Sequence, residues 1–112
     1  LCYGYRVNSQ GKVVTFCTDT GLCPNFYRLA KGADLLISEC SFKPGQANRK
    51  WPHLNPQDAA KAALKSNVKK LALTHFDANC YPLLKERRLA EKAALKIFKN
   101  TVIGYDDMHL NV

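Results

Sequence analysis

The spacing of apolar and polar residues changes along this chain, and each change marks an element. Tyr3 to Val7 and Lys12 to Cys17 are rich in aromatic and β-branched residues, which suit a pleated, half-buried surface. Asn8 to Gly11 between them carries turn chemistry, with Gly11 free to take positive φ, so the two runs predict a β-hairpin. Pro24, then Phe26, Tyr27, Leu29 and Ala30, closed by Gly32, predicts a short helix with Pro near its start and Gly past its end. Leu35 to Ile37 is a brief apolar run that predicts a buried strand. Ser38 to Pro52 shows no period and holds Pro44, Gly45, Asn48 and Arg49. An irregular connection of that length is uncommon unless it serves a function or is disordered.

Helical periodicity returns at Asn55-Pro56-Gln57-Asp58. Asn55 suits the N-cap, Pro56 the first helical position, and Asp58 the positive end of the helix dipole. This helix is expected to run to about Ser66, with Ala59, Ala60, Ala63 and Leu64 as a small-residue stripe against a sheet and Asn67 closing it. Lys70 to Thr74 predicts a strand ending at His75. From Leu84 to Phe98, Ala90, Ala94, Ile97 and Phe98 recur at helical spacing while Lys, Arg and Glu cover the other side. Val102 to Tyr105 and Met108 to Val112 predict a final pair of short strands. Alternation of strand and helix points to an α/β fold, one mixed sheet with helices on one face. Residues 1–112 are expected to form a single domain.

Composition narrows the picture little. At 112 residues and 46% hydrophobic content there is room for one modest core. No apolar run approaches the roughly 18–20 residues needed to cross a bilayer, so no membrane association is expected. The opening residues already read as a strand and lack the layout of a secretory signal, so the chain is expected to be cut from a longer polypeptide. Cys2, Cys17, Cys23, Cys40 and Cys80 are odd in number and lack CxxC spacing; reduced thiols and a cytoplasmic setting are the expectation. The formal charge of +8 favours anionic partners, although Lys85, Arg87, Arg88, Lys92, Lys96 and Lys99 all fall on one predicted helix, where charge usually marks a solvated face.

Candidate chemistry gathers at strand ends. Asp19 follows one predicted strand, Glu39 ends another, and His75 follows a third. Neighbouring strands would bring them to one rim, where Asp and His suit zinc, manganese or iron and Glu beside His suits proton handling. Each alone has an ordinary role: a turn cap for Asp19, a rim histidine for His75, a solvated carboxylate for Glu39, a surface histidine for His53.

Read in order, Thr18-Asp19-Thr20-Gly21, Ala33-Asp34-Leu35-Leu36-Ile37-Ser38-Glu39, His53-Leu54-Asn55-Pro56 and Leu73-Thr74-His75-Phe76 resemble the later motifs of the metallo-β-lactamase superfamily, in the branch containing ribonuclease Z. The resemblance runs from Tyr3 to about Leu110. It implies the C-terminal half of an αββα sandwich and a metal-dependent hydrolase using two divalent ions, zinc with manganese or iron as alternatives. It further implies that Asp19 bridges the two ions, that His75 ligates one, and that His53 and Glu39 form a dyad in which the histidine assists the leaving oxygen and the glutamate orients and charges it.

Two departures accompany it. The chain has no HxHxDH, the run that supplies most metal ligands in that superfamily. Asp19 and His75 alone fall short of the three protein ligands a zinc site needs, so the isolated segment is expected to be inactive, with its metal absent or incomplete, and a missing N-terminal half to carry HxHxDH. Asn8 to Gly11 also stands where tRNA-processing members carry a long arm, which favours a more general phosphodiester or ester substrate. A half sandwich would bare an apolar sheet face and is expected to form a homo-oligomer or a rearranged contact through it. Two rivals stand beside this reading. One is a small basic nucleic-acid-binding module without catalytic activity, with Phe42, Trp51 and Tyr81 as stacking platforms; the other is a regulatory or scaffold half.

Overall fold

The computed structural model describes residues 1–112. Its strands are β1 (Tyr5–Ser9), β2 (Lys12–Cys17), β3 (Leu35–Glu39), β4 (Lys70–Thr74) and β5 (Thr101–Ile103), and its helices α1 (Pro24–Ala30), α2 (Pro56–Lys65) and α3 (Leu84–Leu95). All five strands lie in one sheet in chain order. β1 pairs antiparallel with β2, and β2 to β5 run parallel. The α/β class and the mixed sheet agree with the expectation.

The hairpin is tighter than its composition suggests. Ser9 pairs with Lys12, which leaves a two-residue turn of Gln10 and Gly11, both with positive φ (50° and 74°). That is the backbone twist hairpins prefer, and it moves β1 to Tyr5–Ser9, leaving Tyr3 outside the strand. β3 continues two residues past Ile37 because Ser38 pairs with Cys17 and Leu73, and Glu39 with Thr74. The strand expected at Met108 to Val112 does not form. β5 is the last strand of the sheet, Asp107 takes φ 60°, and the Met108 N–H turns back onto Tyr105 O. The α3 pattern outlasts the helix: Ile97 and Phe98 follow it in a turn on Ala94 O yet still pack on the core.

Strand alternation separates the two faces of the sheet. On one, Thr15, Cys17, Leu36, Ser38, Leu71, Leu73, Thr101 and Ile103 are all buried. Cys17, Leu36, Leu71, Leu73 and Ile103 join Phe26 and Ala30 of α1, Ala59, Ala60, Ala62 and Ala63 of α2, and Ala90 and Ala94 of α3 in one apolar core. The alanines let helix backbones approach the sheet closely. Leu64, expected on that stripe, is instead exposed, and Ala62 is buried in its place. Asn55 caps α2 through the Asp58 N–H at 2.8 Å, and Asn67 closes the segment with φ 54°.

The other face is open along β1 and β2, while Leu35 and Ala72 in its middle are each 4% exposed. Tyr5 stands across from Phe16 and Val7 across from Val14, continuing to Leu35, Ile37, Ala72 and Val102. Tyr5, Val7 and Phe16 are 60%, 56% and 41% exposed. Contiguous apolar surface of this kind ordinarily meets another protein surface.

Asp34 fastens the start of β3. Its carboxylate accepts from Val13 N at 2.8 Å and from Lys69 Nζ at 2.7 Å, and these bonds, the one from Lys69 foremost, hold its carboxyl below the ordinary value of 3.8. A carboxylate with a depressed folded pKa contributes stability above its unfolded pKa and loses it as pH falls through the folded value. Stability should therefore fall on acidification below about pH 4, and Asp34→Asn should flatten that part of the profile. Urea unfolding across pH 3 to 6 reads the slope; equal slopes in the two proteins would rule out the fastening role.

Burial sorts the thiols. It raises Cys17 to about 11 and Cys40 to about 12, whereas Cys2 and Cys23 are exposed. Because the thiolate is the reactive form, iodoacetamide at pH 8 should label Cys2 and Cys23 well before Cys17 and Cys40. Peptide mapping of a timed reaction checks the order, and early labelling of Cys40 would contradict it.

Candidate metal centre

Parallel strands in register bring their C-terminal ends to one edge, where α/β folds commonly place their ligands. Asp19 lies two residues beyond β2, Glu39 is the last residue of β3, and His75 is the first residue after β4. The loop before α2 brings His53 to the same edge. The structure thus assembles all four residues singled out in the sequence, across 56 positions from Asp19 to His75.

Asp19, His53 and His75 each offer a ligand atom, and the three atoms lie within 4.8 Å of one another. His75 Nε2 is 3.8 Å from an Asp19 carboxylate oxygen. Both residues take left-handed backbone, with φ 53° and 52°, a conformation disfavoured for residues other than glycine and common at functional sites. Surrounding bonds hold the turn at His75. Its N–H donates to Thr74 Oγ1 at 2.6 Å, and its carbonyl accepts from Ser41 Oγ at 3.0 Å.

Glu39 is the hub of the site. It is fully buried and shares the sheet side of Leu35 and Ile37 by strand alternation. Its carboxylate accepts from the backbone N–H groups of Thr20 and Leu54, so one side chain joins the loop after β2 to the loop before α2. Both its oxygens also lie 3.0 Å from His53 Nδ1. That contact assigns the Nδ1 proton to the bond with Glu39 and leaves Nε2 as the free nitrogen of the ring. The ring of Phe42 meets His53 edge-on at 5.6 Å between centroids, and Trp51 lies at 6.2 Å. Gly21 completes the junction: a Cβ there would come within 2.8 Å of Pro52 Cβ, so any side chain would push the two loops apart.

The donor set fits a divalent ion in type. Carboxylate and imidazole are zinc, manganese and iron ligands, and three protein donors with one open position is the pattern of catalytic zinc. The side chains of Asp19 and His75 are 68% and 45% exposed, free enough to adjust around an ion. They border a cleft of ≈350 Å³ that also takes in Ser41, Phe42, Trp51, His53 and Asp77. Three donors do not complete a pair of ions.

Sequence reading foresaw Glu39 as a partner of His53 but not as the tie between two loops, because the other donors are backbone amides that carry no residue signature. It also placed His53 in the proton-handling dyad alone, whereas the structure sets it within reach of Asp19 and His75 as well. Ser41 went unnoticed, and no local pattern marks it.

Residues 1–76 match the family described as the beta-lactamase superfamily domain. Over 104 residues the chain is 38% identical to ribonuclease Z of Lactobacillus helveticus, covering 91% of this chain and 33% of that protein. It is 37% identical over 107 residues to ribonuclease Z of a Synechococcus species, with coverage of 91% and 33%. Among solved structures, the metallo-β-lactamase fold protein YhfI of Bacillus subtilis superposes with a TM-score of 0.79 at 27% identity, over 92% of this chain and 41% of that one. Human tRNase Z, short form, superposes with a TM-score of 0.69 at 24% identity, over 94% and 36%. The chain spans about a third of the length of the curated relatives it matches.

Proposed function

The chain belongs to the β-lactamase superfamily, and from that premise we propose that it is the C-terminal part of a metal-dependent hydrolase that cleaves a phosphodiester or related ester bond. The observation that carries this reading is the cluster of Asp19, His53 and His75 ligand atoms within 4.8 Å at the strand ends, with buried Glu39 orienting His53. Asp19 and His75 are metal ligands. His53 is the proton-handling group, and Glu39 its positioning residue. Divalent ions held there, zinc in the first instance, would polarise the ester and lower the pKa of attacking water. Asp19 and His75 would hold such ions, and His53 Nε2 would pass a proton to the departing oxygen.

The remaining ligands are assigned to an N-terminal part carrying HxHxDH. Support comes from the length of the relatives and from the bare apolar side of the sheet, which such a part would cover as the second layer of a sandwich. Without it the 112-residue segment is expected to be inactive and to self-associate through that face. The binding-module alternative asks for Phe42, Trp51 and Tyr81 as stacking platforms. Tyr81 is 1% exposed and donates its hydroxyl to Phe42 O, so it is not available to a base, which favours the hydrolase. No helix is long and apolar enough to cross a membrane; a cytoplasmic setting remains part of the proposal.

Zinc uptake by the full-length protein tests the reading. Metal analysis after dialysis should find bound zinc in the wild type and less in Asp19→Ala and His75→Ala. Unchanged zinc in both variants would remove Asp19 and His75 from the metal site.

A further inference from the structure

His75 also borders a second cleft, of ≈280 Å³, shared with Phe76, Arg87, Gly104, Tyr105 and Asp106. Arg87 is its cationic member, standing in the first half of α3. Its guanidinium carbon lies 5.4 Å from the centroid of the Phe76 ring, a contact in which an aromatic face holds the planar group in place. The other charged residues of α3 are either free in solvent or paired with neighbours, as Lys85 is with Glu86 and Arg88 with Glu91. Arg87 forms no ion pair, and its Nε is buried with no hydrogen-bond partner. A buried donor without an acceptor is uncommon in a folded protein and calls for an explanation.

We propose that Arg87 grips an anionic phosphate group of the substrate beside His75. The inference rests on the hydrolase reading, and it adds a substrate-binding residue from a helix that carries none of the metal or proton-handling groups. At the cleft the guanidinium presents its terminal nitrogens as a fork that matches two oxygens of a phosphate. Held over the ring of Phe76, the residue next to His75 in the chain, that fork fixes the phosphate relative to the reacting centre. Tyr105, 59% exposed, leaves the cleft open to a polymeric or extended substrate. Asp106 lies on the same rim and is the competing partner: it would repel the anion, or claim Arg87 for itself.

The test uses the full-length protein stripped of metal by a chelator, labelled at arginine nitrogen, and titrated with inorganic phosphate. One arginine Nε–H resonance should shift saturably and be missing from Arg87→Gln and Arg87→Lys. Phosphate affinity should fall by about 10-fold or more in Arg87→Gln, the scale of a lost charge-assisted hydrogen bond, with Arg87→Lys between the two. Circular dichroism confirms that each variant is folded, and zinc content in the metal-loaded forms should match the wild type. Equal phosphate affinity in wild type and Arg87→Gln overturns the proposal. So does an Arg87 resonance that responds to Asp106→Asn but not to phosphate. A wild type that takes up no zinc yet still shows the phosphate shift would remove the metal reading and support the grip of Arg87.

Discussion

His53→Ala in the full-length protein is expected to keep its metal and lose turnover by about 10² to 10⁴, the range for removing a general acid or base. The expectation follows from how the ring is held. Glu39 engages Nδ1 from both carboxylate oxygens at 3.0 Å, which fixes the ring beside Asp19 and His75 and leaves Nε2 as its free nitrogen. Substitution by Ala removes that nitrogen without disturbing the strand-end backbone that sets the other two residues. Asp19→Ala and His75→Ala should behave differently, since each removes a metal ligand and should lower bound metal and turnover together. Metal content measured beside turnover on a phosphodiester reporter separates the two classes. The arrangement admits one other result, because His53 stands close enough to serve as a third ligand. If His53→Ala loses as much metal as Asp19→Ala, the proton-handling role is wrong and His53 belongs to the metal.

What was legible in the sequence, and what was not, divides along physical lines. Period-2 alternation and turn chemistry revealed the hairpin, and Asn55-Pro56 revealed the start of α2, because those signals act within a few residues. The convergence of Asp19, Glu39, His53 and His75 was legible only as an inference from strand ends, since parallel strands in register carry their C-termini to one edge. The two-residue turn at Gln10-Gly11 was misplaced because register depends on the partner strand. Leu64 was misassigned because composition cannot say which side of an alanine-rich helix meets the sheet. The strand expected at Met108 to Val112 has suitable residues but lies beyond the last strand of the sheet, with no neighbour to pair with. Contacts that run from side chain to backbone, such as Ser41 to His75 O or Glu39 to Thr20 N, leave no trace in residue order.

The exposed side of the sheet and the candidate metal centre are connected through β3. Leu35 and Ile37 line the apolar face, and two residues further on the same side Glu39 is buried beneath the loops that carry Thr20 and Leu54. A layer covering Tyr5, Val7, Phe16 and Ile37 would therefore end close to Asp19 and His75, so one docking event would both bury the apolar surface and bring further ligands to the metal. In the proposed hydrolase, fold completion and site completion would be the same step.

Replacing Glu39 by Ala should destabilise the full-length protein by about 3–5 kcal/mol, since three donors lose one acceptor at about 1 kcal/mol or more each. Three donors depend on this carboxylate: the N–H groups of Thr20 and Leu54 and the ring of His53. Its loss would leave all three without their acceptor. Because the same carboxylate joins the loop of Asp19 to that of His53, separation of those loops should also loosen the metal, by about 10- to 100-fold in affinity as for other groups that orient metal-site residues. Glu39→Gln distinguishes bonding from packing. It keeps the volume and one acceptor oxygen but turns an amide NH₂ toward a donor, so it should destabilise less than Ala while still disturbing His53. Urea unfolding gives the stability change and competition with a chelator gives the metal affinity. If Glu39→Ala unfolds within about 1 kcal/mol of the wild type, less than the cost of even one orphaned buried donor at the upper end of its range, then the carboxylate does not join the two loops, and the site must be held together in another way.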